Sequence, residues 1–247
     1  MAVGRSGLKT AVAIVAVLLA AMAGSQAILP PIVETQMEAA ITDSLEAVEA
    51  VRVDVAAFPA LQLWRGYVPR LTVDVRRASI DGLIIEALLV DAQNMQVDMK
   101  ALRAGQGFII QKADSLRVTA TVIESDLNTY FAKESGTANI KVQLDPEQTT
   151  VSGDLYVLGQ PVGVTVKGHF TISSATRVAF VVDDFLIANT RLPRFIIEPL
   201  AGKWAVQFDL AAAPVPLELT DIRIEKGRLY IYGQRPLKLP ADQPNAK

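Results

Sequence analysis

The sequence predicts a mostly β domain of the α+β class: a curved antiparallel sheet, interrupted by short helices and preceded by one apolar N-terminal helix. Three observations carry this. Residues Thr10 to Val33 hold no charge, and Arg5 and Lys9 stand just before them. From Val51 apolar residues recur at every second position for most of the chain, the period of a strand with one dry and one wet face. Short segments of helical spacing, opened by proline or by Ser-Asp, break that alternation.

The N-terminal run comes first. Thr10 to Leu29 is 20 residues, about 30 Å as a helix, the hydrocarbon thickness of a bilayer. The basic flank places that end in the cytoplasm and everything after Pro30 outside it. Two forms stay open. One is an uncleaved single-pass anchor running through Thr10, Leu18, Leu19 and Leu29. The other is a signal peptide cut after Ala21-Met22-Ala23 or Ser25-Gln26-Ala27. Both put the remaining chain beyond the membrane, held there or released to the envelope. The expected layout is an anchor or signal peptide over 1–30, a β-rich domain over 31–235 and a polar, proline-bearing disordered tail over 236–247.

Beyond Pro30-Pro31, Val33, Met37, Ile41, Leu45 and Val48 recur at spacings of three and four, with glutamates and an aspartate between them. This predicts an amphipathic helix with an acidic outer face, either packed on the domain or standing as a stalk. The strands follow, about nine or ten in number, including Val51–Val55, Leu71–Val75, Met95–Met99, Leu116–Val122, Ile140–Leu144, Val162–Ile172, Val178–Val182 and Leu217–Ile224. Asp81-Gly82 and Lys226-Gly227 sit where hairpin turns need a positive φ. Leu83 to Val90 is apolar on both strand faces apart from Glu86, which predicts cover on both sides by protein or ligand. The interrupting helices are placed at Pro59–Gly66, Glu124–Lys133 and Pro193–Gly202.

Composition and motifs argue against catalysis. The net charge of −2 gives no field for nucleic acid. Cysteine is absent, which removes thiol nucleophiles and thiolate metal sites. The single histidine, His169, lies mid-strand on the face opposite Phe170 and reads as a surface residue. No Gly-x-Ser-x-Gly run exists. Asp183-Asp184 point to opposite strand faces, Glu124 and Asp126 suit a helix start, and Gly105-Gln106-Gly107 is too short for a phosphate loop. Arg76-Arg77 and Arg191 with Arg194 are small basic pairs, at solvated strand ends or against lipid headgroups. No metal or cofactor motif is present. A chain that is 51% apolar, with an exported β-rich domain that carries no polar constellation, fits a binder better than an enzyme. A 16-carbon acyl tail would bring about 12 kcal/mol of gross burial, with apolar walls as its main requirement.

The segment VRVDVAAFPALQLWRGYVPRLTVDV resembles the opening of the LmeA-like phospholipid-binding proteins of bacteria, at Phe58, Pro59, Leu61, Leu63, Arg65 and Gly66. Trp64 stands where leucine is usual. Ile80-Asp81-Gly82-Leu83, ESDLNTYF from Glu124 to Phe131, Leu192-Pro193, and LELTDIRIEKGRLYIYG ending at Gly233 are similar to later family segments, in order. The resemblance covers residues 31 to 235 and includes no catalytic residues. It implies a non-enzymatic phospholipid binder on the outer side of the bacterial cytoplasmic membrane. The implied fold is tubular, a strongly bent antiparallel sheet wrapping a helix around an apolar tunnel. Candidates for the tunnel mouth and lining, or else for ordinary core, are Leu61, Leu63, Trp64, Leu127, Tyr130, Phe131, Phe195, Ile196, Leu200 and Trp204. The alternative is an envelope structural or protein-interaction module with a solid β core.

Overall fold

The structure is a computed structural model that describes residues 5–135, 139–157, 160–187, 190–191, 206–213, 215 and 217–234; the side chains of 5–23, 135, 155–157, 161 and 191 lie outside that description. The expected helix over Pro193–Gly202 and the tail from 236 fall outside it too. Among the described residues there are thirteen strands and four helices. All the strand pairs are antiparallel, in two sheets. The first runs β1-β2-β3-β5-β13-β12, from β1 (Ala50–Ala56) through β2 (Tyr67–Ile80), β3 (Leu83–Val97), β5 (Ser115–Ile123) and β13 (Arg228–Gln234) to β12 (Glu218–Glu225), with β4 (Ile110–Lys112) on β3. The second runs β10-β9-β8-β7-β6, from β10 (Thr190–Arg191) through β9 (Arg177–Ile187), β8 (Gln160–Ile172) and β7 (Thr149–Val157) to β6 (Lys141–Leu144), with β11 (Gln207–Asp209) on β9.

The curl of the first sheet has a local cause. In the β2–β3 ladder Val68 pairs with Met95 and Arg70 with Gln93, while Arg76 pairs with Ala87 and Ala78 with Ile85. The ladder skips Pro69 opposite Asn94 and Arg77 opposite Glu86. Asn94 and Arg77 have φ of 49° and 48°, the left-handed region in which a strand bends. At each skip the inward set shifts by one residue, from Val75 to Ala78 on β2 and from Ile85 to Leu88 on β3. This corrects the reading of Leu83–Val90. The run is not dry on both faces; it is two alternating halves out of phase, and Leu89 is 43% exposed. Sheet β8–β9 has a similar irregularity beside Gly168, which brings Phe185 rather than Asp184 into the core.

Helix α1 runs unbroken from Arg5 to Ser44, with Pro30 and Pro31 inside it, so the helix does not start afresh after the prolines. It ends before Leu45 and Val48. Val33, Met37 and Ile41 are buried, so this part packs on the domain and is no stalk. Its glutamates are not all on the outer face. Glu34 and Glu38 accept backbone N–H bonds from Val55 and Val53, both at 2.9 Å. They satisfy the free edge of β1, which would otherwise offer those donors to another strand. Helix α4 (Glu124–Ser135) does the same for the second sheet: Glu124 accepts from the Leu144 amide at 2.9 Å, and Asn128 from the Val142 amide. Among the residues whose side chains are described, no helix is long and apolar enough to cross a membrane; the expected anchor positions Thr10, Leu18 and Leu19 fall outside them, and Leu29 packs partly against the core.

Candidate functional site

The residues singled out from the sequence separate into two places. Leu127, Tyr130 and Phe131 lie at helical spacing on the inner face of α4 and are 0%, 4% and 0% exposed. Phe131 meets Phe180 edge-on at 5.7 Å between ring centres, Phe180 meets Phe170 at 5.3 Å, and Tyr130 meets Phe208 at 6.1 Å. These rings join α4 to the second sheet and form packed core. The Tyr130 hydroxyl donates to the Gln207 carbonyl at 2.8 Å. Burial, then the charges of Asp81 and Glu134, push its pKa up to about 12. The folded state therefore keeps a proton that the unfolded chain releases from about pH 10, and stability present below that pH is lost as it rises toward 12. Tyr130→Phe is expected to cost about 1 kcal/mol near neutrality and to flatten the alkaline loss. Urea unfolding near neutrality and at about pH 11 checks both parts.

The second place is the rim where α1 meets α2 (Leu61–Trp64) and α3 (Met99–Arg103). Gln26 on α1 ties this corner: its amide donates to the Ala57 carbonyl at 2.6 Å and accepts from the Ala60 amide at 3.0 Å. Within the single turn of α2, Leu63 points inward with 0% exposure, whereas Leu61 and Trp64 are 51% and 64% exposed. Phe58, just before it, is 77% exposed. Sequence reasoning treated Leu61, Leu63 and Trp64 alike; one turn of helix cannot bury all three. It also missed α3, whose signal was present: the Asp98 carboxylate accepts from the amides of Lys100 and Ala101 at 2.9 and 3.0 Å, as an N-cap does. Those bonds, the one from Ala101 foremost, hold the Asp98 carboxyl below the usual carboxylate range despite partial desolvation. The cap aims α3 so that the Arg103 guanidinium lies 4.5 Å over the Trp64 ring, a cation–π contact.

Between α1 and the end of α3 an open cleft of about 410 Å³ is walled by Gln36, Ala39, Ala40 and Asp43 on one side and Leu102, Arg103 and the Gly105–Gly107 turn on the other. Such a volume lies in the range of small-molecule sites. Phe195, Ile196, Leu200 and Trp204 lie outside the described residues.

Of the remaining polar candidates, the side chains of Arg191 and Arg194 lie outside the described residues, and the following are tied into the fold. Arg77 is neither at a strand end nor free for headgroups: it bridges Glu86 at 2.8 Å and Asp126 at 3.5 Å, and approaches Glu49 at 3.8 Å. Burial raises the Asp126 pKa, Arg77 opposes that, and Glu86 adds to it. Arg76 pairs with Asp74 at 2.7 Å. His169 is surface-exposed, its Nδ1 2.8 Å from Asp183. Among the described residues no group of three or more His, Cys, Asp or Glu could hold a metal ion.

The described residues thus form a curled, mostly β domain with an open apolar rim at one corner. The family model of LmeA-like phospholipid-binding proteins matches residues 24–234, and the chain belongs to that family. No curated protein and no solved structure matches it.

Proposed function

We propose that this chain is a non-enzymatic phospholipid binder working on the outer side of the bacterial cytoplasmic membrane. The family match over residues 24–234 is the observation that carries this. The uncharged stretch Thr10–Leu29 supports attachment to that membrane, as an anchor or, if cleaved, as the export signal. Lipid tails would enter an apolar groove, for which the cleft between α1 and α3 is the described candidate, with Ala39, Ala40 and Leu102 as apolar wall and Arg103 at its polar margin. Movement of lipid between membranes is a further step of the same proposal. A second reading has its own support: Leu127 and Phe131 are wholly buried core, which suits an envelope interaction module with a solid interior.

Solvent extraction of the purified full-length protein, followed by mass spectrometry, separates them. Co-purified phospholipid in stoichiometric amount is the expected result. A clean extract from protein expressed in a bacterial membrane would leave the interaction module standing. Transfer is tested by movement of labelled lipid between vesicles, and no acceleration over the protein-free rate would remove that step.

A further inference from the structure

We infer that the rim formed by Phe58, Leu61 and Trp64, with Ile28 and Ile32 of α1, docks on an anionic bilayer surface. The proposal rests on the membrane location proposed above, but not on a bound lipid cargo. All five side chains are exposed, from 48% at Ile32 to 77% at Phe58. Scattered exposed apolar residues are ordinary; here three fall within seven residues of chain around one turn of helix. Ile28 and Ile32 stand one turn apart on the stripe that continues to Gln36 and Ala39, which line the cleft shared with Arg103. That stripe leads along α1 to the cleft wall opposite Arg103.

Two observations choose a bilayer as the occupant. The first is continuity. Gln26 pins α1 to this corner, and directly upstream the helix is uncharged back to Thr10. Whatever apolar medium receives that half of α1 lies next to the rim. The second is charge. Arg65 and Arg103 are exposed beside the apolar side chains, and neither has a carboxylate partner among the described residues. Arg103 stacked on Trp64 pairs a cation with an amphipathic ring, the combination that settles at headgroup depth. Asp98, the nearest carboxylate on α3, is turned to that helix's own amides. Insertion of Phe58, Leu61 and Trp64 would set the α1–α3 cleft against the membrane surface.

The test uses the full chain with Trp204→Phe, which leaves Trp64 as its one tryptophan, in vesicles of phosphatidylglycerol and phosphatidylcholine. Brominated acyl chains are expected to quench Trp64, more so than in pure phosphatidylcholine, while aqueous acrylamide quenches it little. Phe58→Ser with Leu61→Ser should cut lipid quenching by about half or more, with circular dichroism unchanged because both residues are surface-exposed. A Trp64 open to acrylamide and untouched by brominated lipid overturns the proposal and returns this face to a protein partner. Quenching that survives dissolution of the vesicles in detergent also overturns it, since a retained lipid is then the quencher. An unquenched Trp64 with phospholipid in the extract sinks docking alone; a quenched Trp64 with a clean extract sinks cargo binding alone.

Discussion

Gly66→Ala is expected to destabilise the protein by about 2–5 kcal/mol. Gly66 has φ of +81°, where a side chain is strained. An added Cβ would also meet the Val97 carbonyl oxygen at 2.2 Å, the Gln96 amide at 2.9 Å and Met99 Cγ at 3.2 Å. The first is backbone and cannot swing away. Gly66 accepts from the Val97 amide at 2.8 Å, and Gln96 donates to the Arg65 carbonyl at 2.8 Å, so this contact joins α2 to the end of β3 and the start of α3. Opening it would move Trp64 away from Arg103. The variant should therefore lose docking as well as stability. A loss of unfolding free energy, read by urea titration, of less than about 1 kcal/mol would contradict the close approach.

Phe131→Ala should cost about 3–5 kcal/mol, since a wholly buried ring is removed and its site can collapse only in part. Its ring partner Phe180, itself packed on Phe170, sits on the second sheet, while α4 also contacts β3 and β5 of the first, so the cavity would open at the junction of the two. Calorimetry or urea titration measures the loss. If Phe131 instead lined a lipid site, the truncation would be far milder and would change the amount of lipid extracted. An unchanged lipid content beside a large loss of stability is the expected pairing.

Much of the architecture was legible along the chain. Strands β1, β5 and β13 follow the two-residue period because each has one face in the core and one in solvent. Asp81-Gly82 forms its turn with φ of 52° and 76°, as its residue types require. The phase shifts at Arg77–Glu86 and Pro69–Asn94 were not legible, because each is a property of two strands facing one another. The glutamates of α1 were placed on an outer face by spacing alone; Glu34 and Glu38 face an open strand edge instead, which only sheet order reveals. Helix α3 is short enough that its apolar residues show no period, and its cap was the one available signal.

The candidate site shows the same division. Leu61, Leu63, Trp64, Leu127, Tyr130 and Phe131 were recognisable as apolar residues on short interrupting helices, and Phe58 only as a residue of the family motif just before one of them. Hydrophobicity alone determined that each seeks cover, and the order of motifs determined the family. What supplies the cover was settled by the tertiary structure. Rings of the second sheet close over Tyr130 and Phe131, and Leu127 is buried on the same helix, while no described element closes over Phe58, Leu61 and Trp64. Burial is a relation between segments far apart in the chain, so adjacent Leu63 and Trp64, alike in composition, end with opposite exposures of 0% and 64%.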